Sequence, residues 1–129
     1  MKTIINTARS KNKDDHIGIR VYPTRNVRGQ KGKFLWFRFI APDIYQSDEI
    51  KAGNDKPYII NLEFYSKAVS VDYCPASYYK FKEFLAALKK HPEITLLCFC
   101  EDVDKCHRKI LAKWLVENFS DKFELGDIK

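Results

Sequence analysis

The 129 residues contain no apolar run long enough to span a bilayer. The longest apolar stretches are short pieces such as Ile94 to Cys100, against the roughly 20 residues a membrane-crossing helix needs. Nor do the first residues read as a secretory leader, because Asn6, Arg9 and Lys11 interrupt the chain directly after Met1-Lys2-Thr3. There is no internal repeat, no biased tract and no linker long enough to separate a second domain. Cysteine is sparse, and its four residues (Cys74, Cys98, Cys100 and Cys106), where no leader is expected, do not suggest a disulfide framework. These absences predict one cytoplasmic domain over residues 1–129 with no membrane partner. Its 45% hydrophobic content suits an ordinary globular core.

What is present is unevenly placed. The net charge is +6, yet residues 61–129 are neutral, and the excess lies early. Residues 1–38 carry ten Lys or Arg against only Asp14 and Asp15, and five of the six arginines (Arg9, Arg20, Arg25, Arg28 and Arg38) are among them. A basic face attracts phosphates, on a nucleotide or along a nucleic-acid strand. Arginine and aromatic residues interleave over Arg20 to Arg25 and around Arg38, and guanidinium forks suit phosphate oxygens better than ammonium groups do. The plainer reading is a solvated basic surface.

Strands are expected at Lys2 to Asn6, at Ile17 to Tyr22 before Pro23, and at aromatic-rich Phe34 to Ile40 before Ala41-Pro42. Ser47 to Asn54 suggests a helical turn ending at Gly53. Asn61 to Ser70 leans helical. Pro75 to Lys90 is a helix opened by Pro75, with Tyr78, Phe81, Leu85 and Leu88 on one face. Ile94 to Cys100 suits a buried central strand. A second helix from about Asp104 to Phe119 carries Ile110, Leu111, Trp114 and Leu115, and Phe123 to Leu125 forms a last short strand. Helix, buried strand, helix is the order of a parallel-sheet α/β protein, here a compact three-layer (αβα), Rossmann-like domain.

The most informative segment is Cys98-Phe99-Cys100-Glu101-Asp102-Val103-Asp104-Lys105-Cys106-His107-Arg108. It runs from a strand end into a helix start, capped by Asp102 or Asp104. In open α/β sheets ligands bind there. A thiol at the positive end of a helix beside Arg108 favours thiolate, which makes Cys106 a candidate nucleophile. His107 is a candidate acid or base, and Arg108 with the free backbone donors is a candidate anion site. A thiol-phosphatase loop does not fit, because Cys106 stands where its arginine would follow Cys100. A zinc site is the other option. Cys98 and Cys100 sit one residue apart in a strand and Cys106 adjoins His107, so the spacing departs from ordinary ligand patterns and no metal or other cofactor is expected. Free cysteine is often buried, and Cys98 and Cys74 read more readily as packing. His16 and His91 read as solvated loop residues.

At these residues the chain resembles the family known as domain of unknown function 488, with its YeaO-like relatives. The resemblance rests on Cys98, then Cys106-His107-Arg108, then the helix with Ala112-Lys113-Trp114-Leu115. Ile19-Arg20-Val21-Tyr22-Pro23 and Phe39-Ile40-Ala41-Pro42 resemble two further steps of the family. Where the family commonly has Glu two residues after the first Cys, this chain has Cys100, with Glu101 one place later, and Asp43 follows the Ala-Pro step in place of a small polar residue. That departure leaves Cys100 outside any shared metal site. The resemblance implies a compact α/β fold with a site built from the Cys-His-Arg turn and the basic N-terminal strand, and it supplies no reaction.

The expectation is therefore an enzyme-like site for a nucleotide or other phosphate-bearing ligand. Cys106 and His107 would be catalytic, Arg108, Arg20, Arg25 and Tyr22 would bind the anion, and Cys98 and Glu101 would be structural or secondary. If Ile17 to Tyr22 lies parallel to Ile94 to Cys100, then Arg20, Tyr22 and Arg25 converge on the cluster. The alternative is a non-catalytic nucleic-acid-binding or protein-interaction module.

Overall fold

A computed structural model describes residues 1–27, 29–66 and 76–129. The expectations resting on Arg28, Cys74, Pro75, the Tyr78 side chain and residues 67–70 lie outside what it describes. Five strands, β1 (Thr3–Arg9), β2 (Ile19–Tyr22), β3 (Leu35–Trp36), β4 (Glu93–Cys98) and β5 (Phe123–Ile128), form one sheet in the order β3-β2-β4-β1-β5. Every pairing is parallel. Among the described residues four α-helices join it: α1 (Ile44–Lys51), α2 (Lys56–Ser66), α3 (Ala76–Lys89) and α4 (His107–Asn118). This is a Rossmann-like α/β domain. No helix among the described residues is long and apolar enough to cross a membrane.

Strand alternation decides which face carries the helices. Ile5, Val21, Ile94, Leu96 and Phe123 point to one side and share a core with Ile50 of α1, Tyr58 and Leu62 of α2, Phe81, Phe84 and Leu88 of α3, and Leu111, Trp114 and Leu115 of α4. The opposite face buries a smaller apolar cluster of Ala8, Tyr22 and Leu97, closed by Val27, Phe34 and Phe99. Loops build the layer on that side. Residues 10–18 lie across it, where the Thr95 hydroxyl donates to the Ile17 carbonyl and accepts from the Ile17 amide.

Three elements differ from expectation for local reasons. The strand expected over Phe34 to Ile40 is only two residues long, because Arg38–Ile40 winds into a 3-10 turn. That turn lets Phe37, Phe39 and Ile40 all reach the helical core, and the Tyr58 hydroxyl donates to the Ile40 carbonyl at 2.7 Å. Helix α1 starts earlier than Ser47, since Asp43 and Gln46 form a reciprocal capping box. It stops before Gly53, whose φ of +91° ends it. Strand β5 runs past Leu125 because Gly126 has no Cβ. One there would lie 2.0 Å from Asn6 Oδ1, the atom that accepts from the Asp127 amide.

The connections fix where a ligand can sit. From β2 the chain passes over the loop-covered face to β3, while from β4 it passes through α4 on the helical face to β5. The neighbours β2 and β4 thus send their continuations to opposite faces and opposite sides, which opens a crevice beyond their carboxyl ends.

Candidate functional site

A cavity of about 260 Å³ occupies that crevice. Thr24, Arg25 and Asn26 line it from the end of β2, Cys98, Phe99 and Cys100 from the end of β4, and Lys105, Cys106 and His107 from the start of α4. Ser47, Ile50 and Lys51 of α1 close the far wall. The turn after β2 is held rigidly, with the Thr24 hydroxyl donating to the Asn26 carbonyl at 2.6 Å and the Trp36 indole to the Thr24 carbonyl at 2.7 Å.

The sulfurs gather because the backbone changes direction twice. Strand β4 ends at Cys98, short of the expected Cys100. The turn that follows brings Cys100 Sγ to 3.7 Å from Cys98 Sγ. A 3-10 turn over Val103–Lys105 then precedes α4, and Asp102 caps that turn by accepting from the Asp104 amide. Helix α4 itself begins at His107 behind Cys106, which is extended and makes no side-chain cap. Passing from extended Cys106 to helical His107 turns both side chains inward, and the Sγ atoms of Cys98, Cys100 and Cys106 lie within 4.8 Å of one another.

His107 is fixed by its surroundings. Its Nε2 lies 2.7 Å from the Pro23 carbonyl, which can only accept, so Nε2 carries a proton. Nδ1 sits 3.8 Å from both Cys98 Sγ and Cys106 Sγ. Burial holds the imidazole down to about 4, outweighing the Pro23 hydrogen bond, so the ring is neutral at pH 7 with a bare Nδ1. Tyr58 packs edge-on against it at 5.9 Å.

The three thiols act on one another's ionisation. The sulfhydryls of Cys100 and then Cys106 act on Cys98 and hold it down to about 3 against burial, with the Arg108 charge helping. The same contacts with Cys100 and Cys98, together with burial, push Cys106 well up. At Cys100 the Cys106 contact lowers the thiol, but Cys98 and burial prevail and raise it. The same neighbours thus act in opposite directions on Cys98, which they favour as thiolate, and on Cys106, which they favour as thiol.

The remaining expected residues separate. Arg25 is at the cavity and exposed. Arg20 is turned away, its Nη2 donating to the Lys31 and Lys33 carbonyls at 2.6 and 3.1 Å and its guanidinium lying 5.7 Å from the Phe34 ring. It clamps the basic loop. Tyr22 is fully buried, bonded to Ser10 Oγ and Gln30 Oε1 and packed on Phe34 and Phe99. Both point to the loop-covered face because they alternate with Val21. Arg108 is fully buried as well, its Nε donating to the Lys129 carbonyl and its Nη1 to the Cys100 carbonyl. One residue after His107 on a helix is about 100° around, which aims it toward β5 and away from the cavity. Glu101 is an exposed partner of Arg9 at 3.4 Å, a pair worth little. His16 is half-buried, bonded to the Arg9 carbonyl at 2.9 Å.

A family model described as the active DUF488-N3 subclade matches residues 2–119. The chain belongs to the DUF488 family. Neither a curated protein nor a solved structure matches it. The site residues of this DUF488 chain thus rest on its own geometry, which adds Cys100, Lys105 and Lys51 to those expected. Lys105 lies inside the cysteine segment, where its position could be read. Lys51 comes from a helix distant in sequence, with no local signal.

Proposed function

We propose that this DUF488 protein holds a phosphate-bearing ligand, a nucleotide or the end of a nucleic-acid strand, in the crevice beyond β2 and β4. Arg25, Lys51 and Lys105 are its anion contacts, and the sulfur and imidazole cluster is the enzyme-like floor beneath it. One observation carries this reading: a single cavity brings three cations from three separate elements to the same opening as three thiols and a histidine. A solvated basic surface has no need of that convergence. Cations at the rim of a partly enclosed cleft act through a lower effective dielectric than free surface charges do.

The test is calorimetric titration with adenosine 5′-monophosphate and with adenosine. The monophosphate is expected to bind at least tenfold more tightly. Arg25→Ala and Lys105→Ala should each weaken it about five- to tenfold, roughly 1 to 1.4 kcal/mol, while Arg20→Ala leaves it unchanged. Equal affinity for the two ligands overturns the reading. So does phosphate binding that survives Arg25→Ala and Lys105→Ala but falls when the exposed Lys11, Lys13, Lys31 and Lys33 are removed. That result would identify a basic-surface nucleic-acid module instead.

A further inference from the structure

We infer that Cys98, Cys100, Cys106 and His107 form a binding site for one thiophilic divalent cation of tetrahedral preference, Zn²⁺ being the ordinary case. This goes beyond the anion reading and does not depend on it.

The geometry is close to a finished ligand set. With Zn–S near 2.3 Å and Zn–N near 2.0–2.1 Å, a tetrahedron places sulfurs about 3.8 Å apart and sulfur about 3.6 Å from nitrogen. The structure has 3.7 Å between Cys98 Sγ and Cys100 Sγ, and 3.8 Å from His107 Nδ1 to both Cys98 Sγ and Cys106 Sγ. The three sulfurs lie within 4.8 Å of one another and His107 Nδ1 meets two of them, so the approach still to be made is between Cys100, which is half-buried, and the imidazole. A cluster kept only by thiol hydrogen bonds does not call for a nitrogen at the fourth corner.

A second observation concerns how the histidine is held. Metal-bound imidazoles ordinarily donate their other nitrogen to a carbonyl or carboxylate, which fixes ring and tautomer. Here Nε2–H donates to the Pro23 carbonyl at 2.7 Å, and the unprotonated Nδ1 faces the sulfurs of Cys98 and Cys106. Charge balance agrees. Binding releases the thiol protons, and three thiolates, one neutral imidazole and one Zn²⁺ sum to −1. Arg108 lies fully buried alongside, its Nη1 on the Cys100 carbonyl and its Nη2 without a hydrogen-bond partner. An anionic centre next to it offsets the burial of that cation. The short Cys-x-Cys and adjacent Cys-His spacings succeed because β4 ends at Cys98 and α4 begins at His107.

The experiment uses the full chain in a Cys74→Ser background, so that every thiol counted is one of the three. Metal-free reduced protein is titrated with Co²⁺ and then Zn²⁺. Expected are one Co²⁺ per chain, tetrahedral ligand-field bands, thiolate-to-cobalt charge transfer of three-sulfur intensity, and displacement by one equivalent of Zn²⁺. Cys98→Ser or Cys106→Ser should abolish the spectrum. Cys100→Ser, at the half-buried cavity side and thus gentlest on the fold, should weaken Co²⁺ at least tenfold in protein shown folded by circular dichroism. An octahedral or absent spectrum on folded protein overturns the inference, as does a spectrum that Cys100→Ser leaves intact. Nucleotide titrations run with chelator present, and cobalt titrations without nucleotide, keep this outcome distinct from that of the anion reading.

Discussion

Replacing Arg108 by methionine tests whether this guanidinium is a strut or a ligand contact. The side chain is fully buried and spends two donors on main-chain oxygens, Nε to Lys129 at 3.0 Å and Nη1 to Cys100 at 3.1 Å. Each bond from a charged donor contributes about 1.5–3 kcal/mol, so the pair is worth about 3–6 kcal/mol. Two effects reduce the loss. Methionine removes the penalty of burying a cation, and both acceptors belong to residues that water reaches in part. The expected net destabilisation is about 2–4 kcal/mol, or roughly 8–15 °C in Tm for a chain of this size. Arg108→Lys should lose most of the same stability, because an ammonium cannot bridge both carbonyls. Thermal unfolding followed by far-ultraviolet circular dichroism measures the first effect. Nucleotide titration well below the transition should show affinity within about twofold of the parent, since the residue does not line the cavity. A variant within about 0.5 kcal/mol of parent stability that loses tenfold in nucleotide affinity would refute the placement, because only a guanidinium facing the ligand gives that pair of results.

Three further outcomes follow from buried geometry. Tyr22→Phe removes the hydroxyl shared with Ser10 and Gln30 and should cost about 1–2 kcal/mol in urea unfolding without changing nucleotide affinity; an affinity loss would return Tyr22 to the site. Tyr58→Phe leaves the Ile40 carbonyl unpaired and should cost about 1–3 kcal/mol, with no change in unfolding midpoint as the contrary result. Gly18→Ala places a Cβ 2.1 Å from the Glu93 carbonyl oxygen at a φ of +71° and should destabilise by at least about 2 kcal/mol. A neutral Gly18→Ala would mean that the approach of residues 10–18 to β4 is looser than described.

Most of the fold is legible in the sequence because its signals are local and repeated. Buried strands β2 and β4 announce themselves by β-branched and apolar runs, and α4 by Leu111, Trp114 and Leu115 on one stripe. The helix-strand-helix order suggests a parallel sheet, but it does not place β2 beside β4, a pairing that the sequence offers only as a condition and the structure supplies. What is not legible depends on distant packing. Phe34 to Ile40 has strand composition, yet Tyr58, eighteen residues on from Ile40, supplies the buried donor that its 3-10 turn accepts. The extension of β5 rests on Gly126 meeting Asn6 from the other end of the chain. The loop-built layer has no periodicity to read, since its parts are held by Thr95 and by the rings around Tyr22.

At the candidate site, position is legible and side-chain direction is not, and the two have different causes. A strand end followed by a helix start is visible in sequence, and the crevice between strands that diverge to opposite faces is a property of connectivity. Side-chain direction at that junction is a property of single backbone angles. Treating Cys98 to Cys100 as continuous strand sets their sulfurs two residues of extended chain apart, about 7 Å, which argues against a common centre; ending the strand at Cys98 brings them to 3.7 Å. Counting Cys106 as the first turn of a helix sends it and His107 about 100° apart, whereas an extended Cys106 ahead of helical His107 lets both face Cys98. The same one-residue step that brings His107 into the cluster turns Arg108 out of it. Three adjacent residues with one chemical theme are therefore divided between an opening and a buried strut, and their roles follow from where α4 begins.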